Sequence, residues 1–330
     1  MIRPLNIAGT GIALPARVVT AEELDRRLNL PPGESFRITG IRKRHSAGDE
    51  TAASLGAAAV KQALEASGMN WSDVDCLVCA SATMDQALPY NAAMLLSELD
   101  VNRSHRVASL DIGASCVSFL QALDLMACAL SVGRYQNVMI VSSDISSYTT
   151  DYRNLRENGI FGDGAAAALI RTGDSGQGSG IMGVRSMTLP EGSELCRIRT
   201  GGSRYHRRTD NSHADALFEM RGRPLFGLVA KHLPRFVSAL LAEAGVRTDE
   251  IKAFIPHQAS RTALDHVAEM LGFVDGRMID IFSDYGNQVG ASLPTALHNA
   301  LSRGDMGTGD KLLLLGTGAG VSIMGIVLQL

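Results

Sequence analysis

A succession of helix, glycine stop and buried strand occurs twice in this chain, and that repeat restricts the fold more than any other feature. Ala66-Ser67-Gly68 leads into Asp75-Cys76-Leu77-Val78, and Glu243-Ala244-Gly245 leads into Lys252-Ala253-Phe254-Ile255. Gly245 follows Gly68 by 177 positions, and Phe254 follows Leu77 by the same 177. Further on, Ala129–Gly133 before Val138–Val141 matches Ala300–Gly304 before Leu312–Leu315. A third pair sets Phe161-Gly162-Asp163-Gly164-Ala165 against Leu315-Gly316-Thr317-Gly318-Ala319. Three matches in one order predict a duplicated α/β half, residues 1–172 and then 173–330. The seam is expected in Gly173–Gly183, dense in Gly and Ser as linkers are. Helices alternating with strands predict a parallel sheet.

A chain of 330 residues with 45% hydrophobic side chains has enough apolar material for two such halves around a shared core. Its 31 basic against 34 acidic residues supply no bulk attraction to nucleic acid. Five cysteines, an odd number without paired spacing, point to free thiols in a reducing cytosol. Cys76 and Cys79 look like a redox or zinc pair, but they lie in an apolar strand where residues three apart face opposite sides, and no second pair completes a metal site. Ile7–Ile12 reads as a first strand and not a leader, and no uninterrupted apolar run reaches membrane-spanning length. Thr20, three residues before Glu23, marks a helix start.

Chemistry concentrates where strands end. Around Cys116, small residues Gly113, Ala114 and Ser115 close a short strand, and Val117, Leu120, Leu123, Ala127 and Leu130 then recur at helical spacing. A thiol at a helix N-terminus sits beside unpaired N–H groups and the positive end of the macrodipole, which favour the thiolate. Alone, a cysteine among Ala and Ser is equally a small buried hydrophobe. In the second half, His257 follows Pro256 at a strand end, where open α/β sheets place ligands, although an edge histidine would look the same. Asn287 lies in a Gly-flanked turn before a helix, in the manner of a turn residue or a cap. Gly316-Thr317-Gly318-Ala319-Gly320 lets backbone approach a ligand closely, as would a turn between paired strands. Two basic clusters, 36–45 and 197–223, read as docking points for phosphate groups or as solvated loops.

Together these stretches resemble the thiolase superfamily, and within it the β-ketoacyl-acyl-carrier-protein synthase III group. Gly-Ala-Ser-Cys116-Val-Ser-Phe, Pro-His257-Gln-Ala and Gly-Asn287-Gln-Val-Gly-Ala-Ser carry the resemblance, supported by Thr39–Arg44, Phe161–Ala165 and Gly318–Gly320. It implies a five-layered αβαβα fold of two duplicated halves and a homodimer formed largely through the first half. It assigns Cys116, His257 and Asn287 to catalysis, with backbone at Gly318, Ala319 and Gly320 holding the oxyanion. Substrate contacts fall to Phe36, Arg37, Leu88 and Arg156, and to Met220, Gly222, Ala259 and Ser260.

The implied activity is acyltransfer: decarboxylative Claisen condensation of a Cys-bound acyl group with a malonyl thioester, in fatty-acid initiation or a related secondary pathway. No cofactor or metal is implied; coenzyme A or phosphopantetheine thioesters are substrates, an acyl carrier protein is the expected partner, and the location is cytoplasmic. The Gly316–Gly320 turn lacks the second cysteine of degradative thiolases, and an amide at 287 favours carbon–carbon bond formation over transfer to oxygen or nitrogen. Such a transferase, a thioesterase, or a non-catalytic partner of another condensing enzyme are the alternatives. The chain departs from the group in carrying Phe36 where a tryptophan is usual, and Ser115 and Val117 beside the cysteine. Leu88 stands at the position that reaches across the dimer to the partner's acyl pocket.

Overall fold

The computed structural model describes residues 2–99, 101, 104–173, 178–204 and 213–330. In the first half, β1 (Asn6–Ala13), β2 (Cys76–Cys79), β3 (Ala108–Asp111), β4 (Asn137–Asp144) and β5 (Gly164–Arg171) form one sheet in the order β1-β5-β4-β2-β3. In the second, β6 (Gly180–Thr188), β7 (Ile251–Pro256), β8 (Lys311–Gly318) and β9 (Ser322–Gln329) are ordered β6-β9-β8-β7, and the short strand Arg3–Pro4 from the N-terminus pairs beside β6. Met278 bridges Phe254 in parallel at the edge where β3 stands in the first sheet.

Both sheets are mixed, which corrects the expectation of a parallel sheet. β2, β3 and β4 run parallel, as do β7 and β8, but β5 and β9 turn back antiparallel against β4 and β8. The β8–β9 turn, with Gly318 opposite Ser322, is too short for a crossover, so antiparallel pairing is the only outcome.

Register also corrects the third repeat match. Asp144 pairs with Gly164 as Gly318 pairs with Ser322, so Gly318 is the counterpart of Asp144, whereas Phe161–Asp163 lies in the segment leading into β5. The expected linker is shorter than Gly173–Gly183, since Gly180–Gly183 already belong to β6 and residues 174–177 lie outside the described residues. Glycine there serves close packing: a Cβ on Gly180 would come within 2.2 Å of the Arg3 carbonyl oxygen.

Helices α1 (Ala52–Ser67), α2 (Asn91–Glu98), α3 (Ser118–Ser131), α4 (Gly222–Ala244), α5 (Arg261–Leu271) and α6 (Ser292–Leu301) complete five layers. Helices α3 and α6 lie between the sheets, meeting Val138 and Ile140 of β4 and Leu312 and Leu314 of β8. The alternate residues Met139 and Val141 face α1 and α2, while Leu313 and Leu315 face α4. This period-2 alternation makes each strand apolar on both sides. Phe119 and Leu120, fully buried on α3, contribute about 2 kcal/mol each by area. Cys76 and Cys79 enter different cores, as their spacing predicts. Helix α4 is long and apolar enough to cross a membrane, but Leu233, Phe236, Val237 and Leu240 pack it on the second sheet.

Candidate active site

Cys116 occupies a 3₁₀ turn, Ser115–Val117, between β3 and α3. Ser115 is left-handed at φ 53°, and Ser118 ties the turn by accepting from the Ala114 N–H (2.8 Å) and donating to the Ser115 carbonyl (2.7 Å). The second half repeats this construction before α6. Val289, 174 positions after Ser115, is left-handed at φ 54°, and Ser292 accepts from the Gln288 N–H at 2.9 Å as Ser118 does from Ala114. A β-branched residue held there costs on the order of 1–3 kcal/mol, so the surroundings impose the turn. Gly290 is thus the counterpart of Cys116. The two turns pack on each other, with the end of β8 against the first and the end of β4 against the second.

Gly318, closing β8, backs onto the cysteine turn: a Cβ there would lie 3.0 Å from the Ala114 oxygen and 3.3 Å from the Cys116 nitrogen. Two residues earlier, a Cβ on Gly316 would touch Val117 at 2.9 Å and stand 3.6 Å from the His257 Cβ. His257 extends β7, its N–H donating to the Leu315 carbonyl at 2.8 Å. Asn287 is held between backbone segments, its N–H on the Ile160 carbonyl (2.8 Å) and its carbonyl accepting from the Gly162 N–H (3.0 Å). Its side-chain oxygen accepts from the Val289 N–H at 2.8 Å, which turns Nδ2 toward the Ala259 carbonyl, 3.3 Å away. Ala259 donates its own N–H to the His257 carbonyl at 2.9 Å, so the histidine and asparagine segments are tied directly.

Cys116 and His257 are both uncharged at rest. Burial pushes the Cys116 thiol well above the ordinary range, with Cys196 and Asp144 adding to it and its own backbone N–H only partly opposing. That runs against the expected lowering: for this half-buried thiol packed on an apolar cluster, the cost of desolvating a thiolate exceeds what a helix terminus returns. Burial likewise depresses His257 to about 4, leaving a neutral imidazole whose Nδ1 has no hydrogen-bond partner. Cys116 packs against an apolar cluster that includes Ile41, Ile160, Phe161 and Val289, with Phe218 and Met220 on the same cluster. Phe161 and Phe218 meet edge to face at 4.8 Å.

Of the expected substrate-binding residues, Met220 packs in the Cys116 cluster, Gly222 opens α4 beside it, and Ser260 caps α5 by accepting from the Ala263 N–H. Phe36, Arg37, Leu88 and Arg156 stand exposed, Leu88 at 82%, and Arg37 is paired with Glu34. Several described members of the basic clusters are already engaged. Arg42 pairs with Asp284, Arg44 is buried against the carbonyls of Gly159 and Phe161, and Arg197, Arg199 and Arg204 pair with Glu194, Asp215 or Glu219. Arg221 and Arg223 are exposed, and Arg207 and Arg208 lie outside the described residues. Among the described residues no cluster of His, Cys, Asp or Glu is arranged to hold a metal.

Sequence reading missed Asp144. It is fully buried at the end of β4, accepting from the N–H groups of Ala82 (2.8 Å) and Thr83 (2.7 Å) and, on its other oxygen, of Ala291 (3.1 Å). Polar Ser142-Ser143-Asp144 ending an apolar strand was the available signal.

The family models described as 3-oxoacyl-[acyl-carrier-protein] synthase III and its C-terminal part match residues 110–189 and 241–330. The beta-ketoacyl-[acyl-carrier-protein] synthase III of Chelativorans sp. is 30% identical over 332 residues, covering 100% of both chains. A solved 3-oxoacyl-[acyl-carrier-protein] synthase III from Aquifex aeolicus VF5 superposes with a TM-score of 0.87 at 27% identity, covering 99% of this chain and 100% of that one. Xanthomonas campestris OleA, 20% identical, shares the fold with a TM-score of 0.85 over 99% of this chain and 98% of its own.

Proposed function

This chain belongs to the 3-oxoacyl-[acyl-carrier-protein] synthase III family, and from that premise we propose a decarboxylative condensation carried on Cys116. The chain is an acyltransferase that joins an acyl group to a malonyl thioester with loss of carbon dioxide. The observation that carries the site reading is the close approach of Gly318, at the end of β8, to the Cys116 turn, where a Cβ would lie 3.3 Å from the Cys116 nitrogen.

Cys116 attacks the donor thioester. A sulfur–carbon bond forms, the donor's own thiol leaves, and the cysteine proton goes with it. Starting from a neutral thiol and a neutral imidazole, this step depends on the oxyanion, received by N–H groups of Cys116 and of the Gly318, Ala319, Gly320 turn, each worth about 3 kcal/mol where such donors have been removed. The malonyl thioester then loses carbon dioxide, and its enolate oxygen needs donors. The Asn287 amide has two hydrogens, of which Ala259 takes one, and His257 supplies an N–H without needing a charge. The enolate carbon attacks the acyl carbonyl, the carbon–sulfur bond breaks, and Cys116 leaves as a thiolate that takes a proton from water to return to the thiol, as its raised pKa requires.

Coenzyme A and carrier-protein thioesters as substrates, the absence of any resident cofactor, a homodimer and a cytoplasmic location complete the reading. So does the division at residues 172 and 173, supported by the matching order of the two sheets. Exposed Leu88 and Met84 on one loop support a dimer face. Supplying an acyl-CoA with a malonyl carrier-protein thioester and weighing the products tests it. A β-ketoacyl product extended by the malonyl-derived unit is expected, and free acid as the sole product contradicts it.

A further inference from the structure

The second turn is met by a carboxylate where the first is met by a glycine. Gly318 brings no side chain to the Cys116 turn, whereas its counterpart Asp144 reaches the turn of Gly290 and accepts from the Ala291 N–H. A Cβ on Gly290 would lie 2.8 Å from Asp144 Oδ2. We propose that Asp144 is a positioning residue for condensation, clamping the Val289–Ala291 turn, and through it Asn287, to the loop at Ala82 and Thr83. The proposal rests on the condensing reading above.

The two carboxylate oxygens divide the work. Oδ1 takes three donors from the loop, the N–H groups of Ala82 and Thr83 and the Thr83 hydroxyl at 3.0 Å. Oδ2 takes the Ala291 N–H, which it shares with the Gln288 carbonyl at 3.0 Å. Asn287 is fixed through the same turn, its Oδ1 on the Val289 N–H and its neighbour Gln288 on Ser292. A buried carboxylate facing four donors and, among the described residues, no cation is costly, and burial raises Asp144 to about 6. The ionisable groups around it are Cys116, Cys79 and Tyr148, all pushed upward by burial, so Asp144 alone of these titrates between about pH 5 and pH 8.

Asp144→Asn separates the roles. Its one amide oxygen goes to the three loop donors, leaving NH₂ against the Ala291 N–H, and the Asn287 turn loosens while the Cys116 turn keeps its own cap. The two half-reactions are measured separately: acylation of Cys116 by mass, then turnover of the acyl-enzyme with malonyl thioester. Acylation within a few-fold of wild type with condensation slowed about 10²-fold, as a misplacement near 1 Å produces, is the expected result. Both rates falling together, or neither, overturns the proposal. The wild-type pH profile decides it without any variant: condensation should fall as pH drops through about 6 while acylation does not follow, and a condensation rate flat through that range overturns the clamp. A wild-type chain that never carries acyl on Cys116 overturns the underlying reading instead, a result separable from both.

Discussion

Gly318 and Cys116 are set back to back, the glycine's α-carbon so placed that a methyl group on it would come within 3.3 Å of the cysteine's amide nitrogen. Gly318→Ala should therefore crowd the Ala114 carbonyl and the Cys116 amide and push the two segments apart. We expect the acylation rate to fall about 10²-fold, the scale of one oxyanion donor. Mass gain over time measures it, and an unchanged melting temperature separates local displacement from unfolding.

Asn287 has a different duty. Asn287→Asp keeps the shape and the acceptor for the Val289 N–H but replaces a donor with a carboxylate oxygen facing the Ala259 carbonyl. Acylation of Cys116 should survive, and condensation should drop by about 10² or more. Stalled acyl-enzyme, visible by mass after malonyl thioester is added, is the signature.

His257 links activity to pH and stability. Its folded value lies near 4 against 6.5 ordinarily, so the unfolded chain takes up a proton first as pH falls. The contribution is fully present above 6.5 and is lost as pH falls through about 4, some 2.5 units in all and so about 3 kcal/mol. Asp144, raised from 3.8 to about 6, works in the opposite sense, its contribution being present below 3.8 and lost as pH rises through 6. Comparing wild type with His257→Asn by denaturant unfolding isolates the histidine. The stability difference should shift by about 3 kcal/mol against the wild type between the two ends of that range.

Arg44 is a wall stud of the site. It is 1% exposed, donates to the carbonyls of Gly159 and Phe161, and burial lowers it to about 10. Arg44→Leu leaves both carbonyls without their donor and should cost about 3 kcal/mol in urea unfolding. Because Ile160 and Gly162 hold the Asn287 backbone, condensation should weaken too, before acylation does.

Much of the architecture was legible because burial writes a period into strands: Val138 to Val141 and Leu312 to Leu315 repeat one pattern in two places, and the offset of 177 shared by Gly68 and Gly245 with Leu77 and Phe254 exposed the duplication. Cys116, His257 and Asn287 were legible as residues at strand ends and helix starts. What stayed hidden was decided by partners far away in sequence. The β8–β9 hairpin, which makes the sheet mixed, reads like any glycine turn. Arg42 looked free until Asp284 met it. The Cys116 thiol was read from its helix terminus, yet Ile160, Phe161 and Val289 from other elements pack in the cluster it joins and reverse the sign. Asp144 belongs to a polar run whose purpose depends on the second half's turn.

The most direct test is the mass of the intact protein after incubation with a panel of acyl-CoA and acyl-carrier thioesters, wild type beside Cys116→Ala, followed by malonyl thioester. A mass gain that requires Cys116 and disappears on malonyl addition, with β-ketoacyl product released, is the predicted result. No acylation from any donor, or acylation that persists in Cys116→Ala, would contradict it.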